Sequence, residues 1–121
     1  MPLELKALTE RVIGAAIAVH RDKGPGFLES IYENSMKIEM EAQGIRAVFQ
    51  KETPIFYRGR QVGTHKLDLL IEDQLIVELK AVKALEDIHF AQVRSYLRAT
   101  GLKHGLLLNF ATPTLTIKRV I

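Results

Sequence analysis

Cysteine is absent from this chain of 121 residues. Disulfides, thiolate zinc sites and cysteine nucleophiles are therefore excluded, which fits a reducing compartment. No apolar run approaches membrane-spanning length, and the N-terminus lacks the basic-then-apolar order of a signal peptide, so a cytoplasmic protein with no membrane partner is expected. Histidine is scarce: His20, His65, His89 and His104 show none of the H-x-x-x-H spacing that presents two imidazoles to one metal. There is no G-x-S-x-G elbow and no phosphate-cradling P-loop. Gly24-Pro25-Gly26 is too short for such a cradle, and its proline removes an amide donor. Internal repeats, linkers and low-complexity segments are missing as well.

What remains is ordinary globular composition, 47% hydrophobic and 26% charged, in a length that suits one domain, residues 1–121, with a core of its own. The net charge of +3 is unevenly spread. Residues 1–56 hold seven Lys/Arg against eight Asp/Glu, whereas residues 57–121 hold ten against six. A basic excess suits a polyanionic partner, and a merely solvated basic surface explains it equally well.

Leu5, Leu8, Val12, Ala16 and Val19 recur at steps of three and four, predicting a first helix that Gly24-Pro25-Gly26 stops. A second helix is expected with Leu28, Ile31, Ser35, Ile38 and Ala42 on its apolar face and Gly44 closing it. Arg46 to Tyr57, Val62 to Ile71 and Leu75 to Val82 read as strands, with Arg58-Gly59-Arg60 and Glu72-Asp73-Gln74 as turns. Glu86 or Asp87 caps a third helix running to about Thr100, ended by Gly101. Leu106-Leu-Leu108 reads as a buried strand and Leu115 to Val120 as the last one. The order ααβββαββ implies an α/β fold with a mixed central sheet flanked by helices.

Three charged residues stand within the apolar strands. Glu78 and Lys80 project from one face of Leu75-Ile-Val-Glu-Leu-Lys80, and hairpin pairing lets Asp68 reach it too. An E-x-K tripeptide alone is commonly a surface ion pair. Apolar Ile76, Val77, Leu79 and Val82 instead imply burial on both faces, where such charges must pair or hold an ion. Hard oxygen ligands of this kind suit Mg²⁺, which assists attack of water on a phosphodiester. Gln92 and Tyr96, at i and i+4, share a helix face with His89 one turn earlier, and this face either holds substrate or packs Tyr96 on the sheet. Glu29, in the first turn of the second helix, either meets the helix dipole or adds an acid to the site, and Tyr32 one turn on reads as core. His20, just before the glycine turn, either caps its helix or offers an imidazole nearby.

Gly26-x-x-Glu29-x-x-Tyr32, together with His20-Arg-Asp-Lys-Gly-Pro-Gly26, Leu75-Ile-Val-Glu-Leu-Lys80 and Gly105-Leu-Leu-Leu-Asn-Phe110, resembles the GxxExxY family of the PD-(D/E)xK nuclease superfamily over nearly the whole chain. The resemblance implies a restriction-endonuclease-like fold, with Asp68, Glu78 and Lys80 as the D…(D/E)xK triad. Leu67 stands where that motif's name has proline. Gln92-Val-Arg-Ser-Tyr96 is similar to the Q-x-x-x-Y motif of RecB-type nucleases, and Glu29 matches an acidic residue on the helix before the sheet. The expected activity is metal-dependent hydrolysis of nucleic acid, with DNA as the expected polymer and Mg²⁺ or Mn²⁺ as cofactor. Asp68, Glu78, Glu29 and the Leu79 carbonyl would hold the metal, while Lys80, Gln92 and Tyr96 complete the catalytic set. Arg94, Arg98, Lys83 and Lys103 are candidate phosphate contacts, Arg94 lying off the Gln92/Tyr96 face. The alternatives are a catalytically silent nuclease-fold module that binds nucleic acid or protein, and an assembly module in which edge strands such as Leu115 to Val120 pair two copies as a homodimer.

Overall fold

The computed structural model describes residues 3–121. Helix α1 (Leu3–Lys23) buries Leu5, Leu8, Val12, Ala16 and Val19 as its spacing predicts. It ends where Gly24 turns left-handed at φ +68°, its amide still bonded to the His20 carbonyl at 2.8 Å. Helix α2 (Glu29–Ala42) departs from expectation. Its buried stripe is Tyr32, Met36 and Met40, while Leu28 and Ile38 are 76% and 72% exposed. Two apolar stripes run side by side on this helix, and hydropathy ranks the aliphatic one first. The core takes the other because the Tyr32 ring stacks on Phe110 at 4.6 Å and flexible methionines fill the space beside it.

Strands β1 (Ala47–Tyr57), β2 (Arg60–Ile71), β3 (Leu75–Lys80), β4 (Gly105–Asn109) and β5 (Thr116–Val120) form one sheet in sequential order. All neighbours are antiparallel except β3 and β4, which helix α3 (Asp87–Thr100) connects as a parallel crossover. Strand β3 stops at Lys80 rather than Val82. Beyond Lys80 the Asn109 side chain takes over from the ladder, accepting from the Val82 amide at 3.1 Å and donating to the Val82 carbonyl at 2.8 Å. Strand β5 begins at Thr116 rather than Leu115, after a turn in which the Thr112 hydroxyl bonds back to the Asn109 carbonyl.

Both faces of the sheet are covered. Helices α1 and α2 pack on Leu69, Ile71, Val77, Leu79, Leu106 and Leu108, and α3 packs through Val93, Tyr96 and Leu97 on Leu67, Leu70, Ile76 and Leu107. Leu67 and Leu69 are two apart yet belong to opposite cores, so the alternation of β2 slips at Asp68. Across from it β1 is equally irregular, since Gln50 sits at φ +54° and leaves a gap between the pairs Phe49↔Leu69 and Lys51↔Leu67. The β1–β2 pairing is interrupted at the Gln50/Asp68 step and resumes beyond it in the same register. Among the described residues no helix is long and apolar enough to cross a membrane.

Candidate active site

The β2–β3 ladder has its last rung at Leu69↔Val77. Continuing that register puts Asp68 opposite Glu78, and there side chains replace backbone pairing. The Asp68 amide donates to Glu78 Oε1 at 3.1 Å, and the Leu79 amide donates to Asp68 Oδ2 at 3.0 Å. Each carboxylate thus closes a backbone bond that the diverging strands leave open. Glu78 is only 2% exposed. Burial, reinforced by the Asp68 charge, pushes its carboxyl up to about 8 despite the Asp68 amide and Lys80. Asp68 is also raised, first by burial and further by Glu33, against the opposing Leu79 amide. Lys80 extends from the same face of β3 as Glu78. Its Nζ lies 3.6 Å from Glu78 Oε2 and donates to Gln92 Oε1 on α3 at 3.1 Å.

Helix α2 brings its N-terminal turn to this opening. Glu29 is raised above the ordinary carboxylate range by burial and then by the Asp68 charge, with Lys80 pulling the other way. Tyr32 is what holds this turn in place. Its hydroxyl donates to the Gly24 carbonyl at 2.6 Å and accepts from the Phe27 amide at 3.2 Å. Its ring lies on Phe110, whose amide donates to the Lys80 carbonyl at 2.9 Å. The loop leading to Glu29 and the end of β3 are therefore anchored to the same pair of rings. Gly26, at φ +113°, occupies a backbone conformation that a side chain would strain.

The sequence reading misses two residues of this cluster. Gln50 donates from Nε2 to Glu33 Oε1 at 2.6 Å and reaches Asp68 Oδ1 at 3.4 Å, bridging α2 to β2. The position of Glu33, one helical turn beyond Glu29 on the same face, was the available signal. Gln50 had none, because nothing in the local sequence marks its left-handed φ of +54°.

On the α3 side, Gln92 and Tyr96 do share a face. Burial, then the Glu78 and Asp68 charges, push the Tyr96 hydroxyl up to about 12, with Gln92 opposing. His65 meets the Tyr96 ring edge-on at 4.7 Å and lies 3.3 Å from Ser95 Oγ. His89 is engaged elsewhere, its Nδ1 accepting from the Glu86 amide at 2.9 Å in the helix cap. His20 donates from Nε2 to the Thr112 carbonyl and packs by Phe110, which is a structural engagement. Lys83 is exposed in the loop after β3. Arg94, Arg98 and Lys103 line a separate groove with Leu97, Leu102 and Ile121, and none of the site carboxylates borders it.

Glu29, Asp68 and Glu78 are each raised in part by neighbouring carboxylates, Glu33 acting on Glu29 and Asp68, with Lys80 as the opposing cation. Such a cluster holds more negative charge than its own residues neutralise. Among the described residues no three acidic or histidine side chains gather into a ready-made ligand set. The Asp68/Glu78 pair by itself fits Mg²⁺, which takes one or two carboxylates and completes its shell with water and substrate. The Leu79 amide is already committed to Asp68.

Residues 6–120 match the PD-(D/E)XK nuclease superfamily. Comparison with curated proteins gives no match. Among solved structures, the crystal structure of SSO0001 superimposes with a TM-score of 0.60 at 19% identity, over 75% of this chain and 48% of that one. The chain thus spans about half the length of that protein, and the likeness is one of fold. The five-stranded mixed sheet with helices on both faces is the restriction-endonuclease-like arrangement, and a family match that runs almost from end to end places the chain in the PD-(D/E)XK nuclease superfamily.

Proposed function

We propose that this chain is a single-domain, metal-dependent nuclease that hydrolyses phosphodiester bonds, with DNA as its first expected substrate and Mg²⁺ or Mn²⁺ as cofactor. The observation that carries the reading is the Asp68/Glu78 pair facing across the opened end of β2 and β3, with Lys80 bonded to Gln92 beside it. Asp68 and Glu78 would hold the ion, assisted by Glu29 and the Leu79 carbonyl. A bound divalent cation would neutralise the clustered carboxylates and acidify water for attack on phosphorus. Lys80, fixed between Glu78 and Gln92, offers a charge to the attacking water or the developing phosphorane. Gln92 and Tyr96 orient Lys80 and the buried carboxylates from α3. The Gly26/Glu29/Tyr32 spacing supports assignment to the GxxExxY family within the superfamily. The reading implies a cytoplasmic enzyme, and β5, an edge of the sheet, is the strand through which two copies would pair.

The test is incubation of purified protein with single- and double-stranded DNA and RNA, in Mg²⁺, Mn²⁺ or chelator. Metal-dependent cleavage that disappears in Asp68→Asn and Lys80→Ala is expected. Cleavage that survives either substitution overturns the assignment. If wild type cuts nothing and calorimetry finds no uptake of either metal at millimolar concentration, the chain is instead a binding module on a nuclease fold.

A further inference from the structure

Strands β1 and β2 do not end at the site. Past Gln50 and Asp68 they continue as a two-stranded arm, residues 51–66, paired only with each other up to the turn at Arg58-Gly59. One flank of the arm rests on α3, where Ile55, Phe56 and His65 face Ser95 and Arg98 across a cleft of about 360 Å³. The tip is bare. Tyr57 is 67% and Val62 64% exposed, and with Arg58 and Arg60 they surround a concavity of about 430 Å³.

Three features separate this tip from an ordinary solvated hairpin. Residues 51–66 carry Lys51, Arg58, Arg60 and Lys66 against a single acid, Glu52. None of the four cations is among the ion pairs of the described residues. Arg58 also occupies a turn position at φ +50°, where asparagine or glycine would sit without strain. An arginine held there at a conformational cost points to a use for its charge.

We propose that the β1–β2 arm grips an unpaired strand of nucleic acid, with Tyr57 stacking on a base and Arg58 and Arg60 contacting flanking phosphates. An exposed ring stacks most readily on a base already freed from its partner, since in a duplex it must first unstack a step, at a free-energy cost. The arm grows from the same strand that carries Asp68, so a strand lying along it is led directly to the carboxylates. The inference names the substrate class for the nuclease reading and rests on it, yet binding can be measured without cleavage. A protein-docking face with the same exposed aromatics would have no need of four unpaired cations.

The experiment is fluorescence anisotropy of the full chain with a short labelled single strand and the corresponding duplex, in chelator, across a salt series. Tighter binding of the single strand is expected. Tyr57→Ala should weaken it on the order of 10- to 100-fold. Arg58→Asn, which suits the turn better than arginine, combined with Arg60→Gln, should reduce the salt slope by about 1.4 through two lost phosphate contacts. If the arm variants lose binding while wild type cleaves nothing in Mg²⁺ or Mn²⁺, the arm stands and the nuclease reading falls. If wild type cleaves and the arm variants bind unchanged, the arm inference falls alone. A preference for duplex also overturns it, as does Tyr57→Ala abolishing a dimer in light scattering without altering strand binding.

Discussion

Glu78 gives the sharpest test of the site's electrostatics. Its carboxyl has an ordinary value of 4.5 and is pushed up to about 8 in the folded chain. A carboxyl raised on folding contributes its full stability below 4.5, where both states are protonated. As pH climbs from 4.5 toward 8, the unfolded chain sheds this proton and the folded chain keeps it, so stability falls with rising pH. Between pH 5 and pH 8 the loss amounts to about 3 kcal/mol from Glu78 alone. For a domain of this size that is roughly 10 °C of melting temperature. Asp68 and Glu29 are raised too and act in the same direction. Glu78→Gln removes the titration while retaining an oxygen to accept the Asp68 amide. Thermal melts from pH 5 to pH 8 should therefore show the variant more stable than wild type at pH 8, with the gap closing toward pH 5. Mg²⁺ should raise the wild-type melting temperature more at pH 8 than at pH 5, and do little for the variant. A wild-type minus variant difference that is independent of pH would refute the buried-carboxyl account.

Two further substitutions probe the scaffold. Tyr32→Phe keeps the ring stacked on Phe110 and deletes both bonds to the Gly24–Phe27 loop. It should cost about 1–2 kcal/mol in denaturant melts; if Tyr32 positions Glu29, kcat of the cleaving enzyme should drop with KM unchanged well below the melting temperature, whereas unchanged turnover would reduce Tyr32 to a packing residue. Gly105→Ala would place a methyl 2.8 Å from Val93 Cγ1 and 3.5 Å from the Ile76 carbonyl, jamming α3 against β4. A loss of about 1–3 kcal/mol is expected, largely relieved by adding Val93→Ala, and a neutral single variant would show that α3 is free to shift.

The element order was legible because each segment carried its own signal. Helix α1 has one apolar stripe, and glycines at positions 24, 44 and 101 end helices in left-handed turns. The shared face of Glu78 and Lys80 follows from the two-residue period of a strand, and that of Gln92 and Tyr96 from the helical period, whereas the bond from Lys80 to Gln92 appears only in the structure. What could not be read is whatever depends on a partner distant in sequence. The α2 stripe was chosen by Phe110, seventy-eight residues after Tyr32, and hydropathy within the helix pointed to its neighbour. The early end of β3 depends on the Asn109 side chain. Gln50 joined the cluster at a break in the β1–β2 pairing that no local residue pattern marks, whereas Glu33 was readable from its place one turn beyond Glu29.

The break at Gln50/Asp68 is where sheet regularity and site chemistry oppose each other. A regular β2 would keep Leu67 and Leu69 in one core, pair Asp68 with both neighbours and leave its carboxylate without a backbone amide to bind. Instead the alternation slips, and the Asp68 and Leu79 amides turn to carboxylates. A charged cluster then sits at the margin of an apolar sheet with its pKa values raised, a local cost that the two flanking cores carry. Residues 51–66 continue past this interruption in the same register and flank α3, so the arm and the carboxylates share one strand. The end of the β2–β3 ladder and the root of the arm therefore coincide at Asp68.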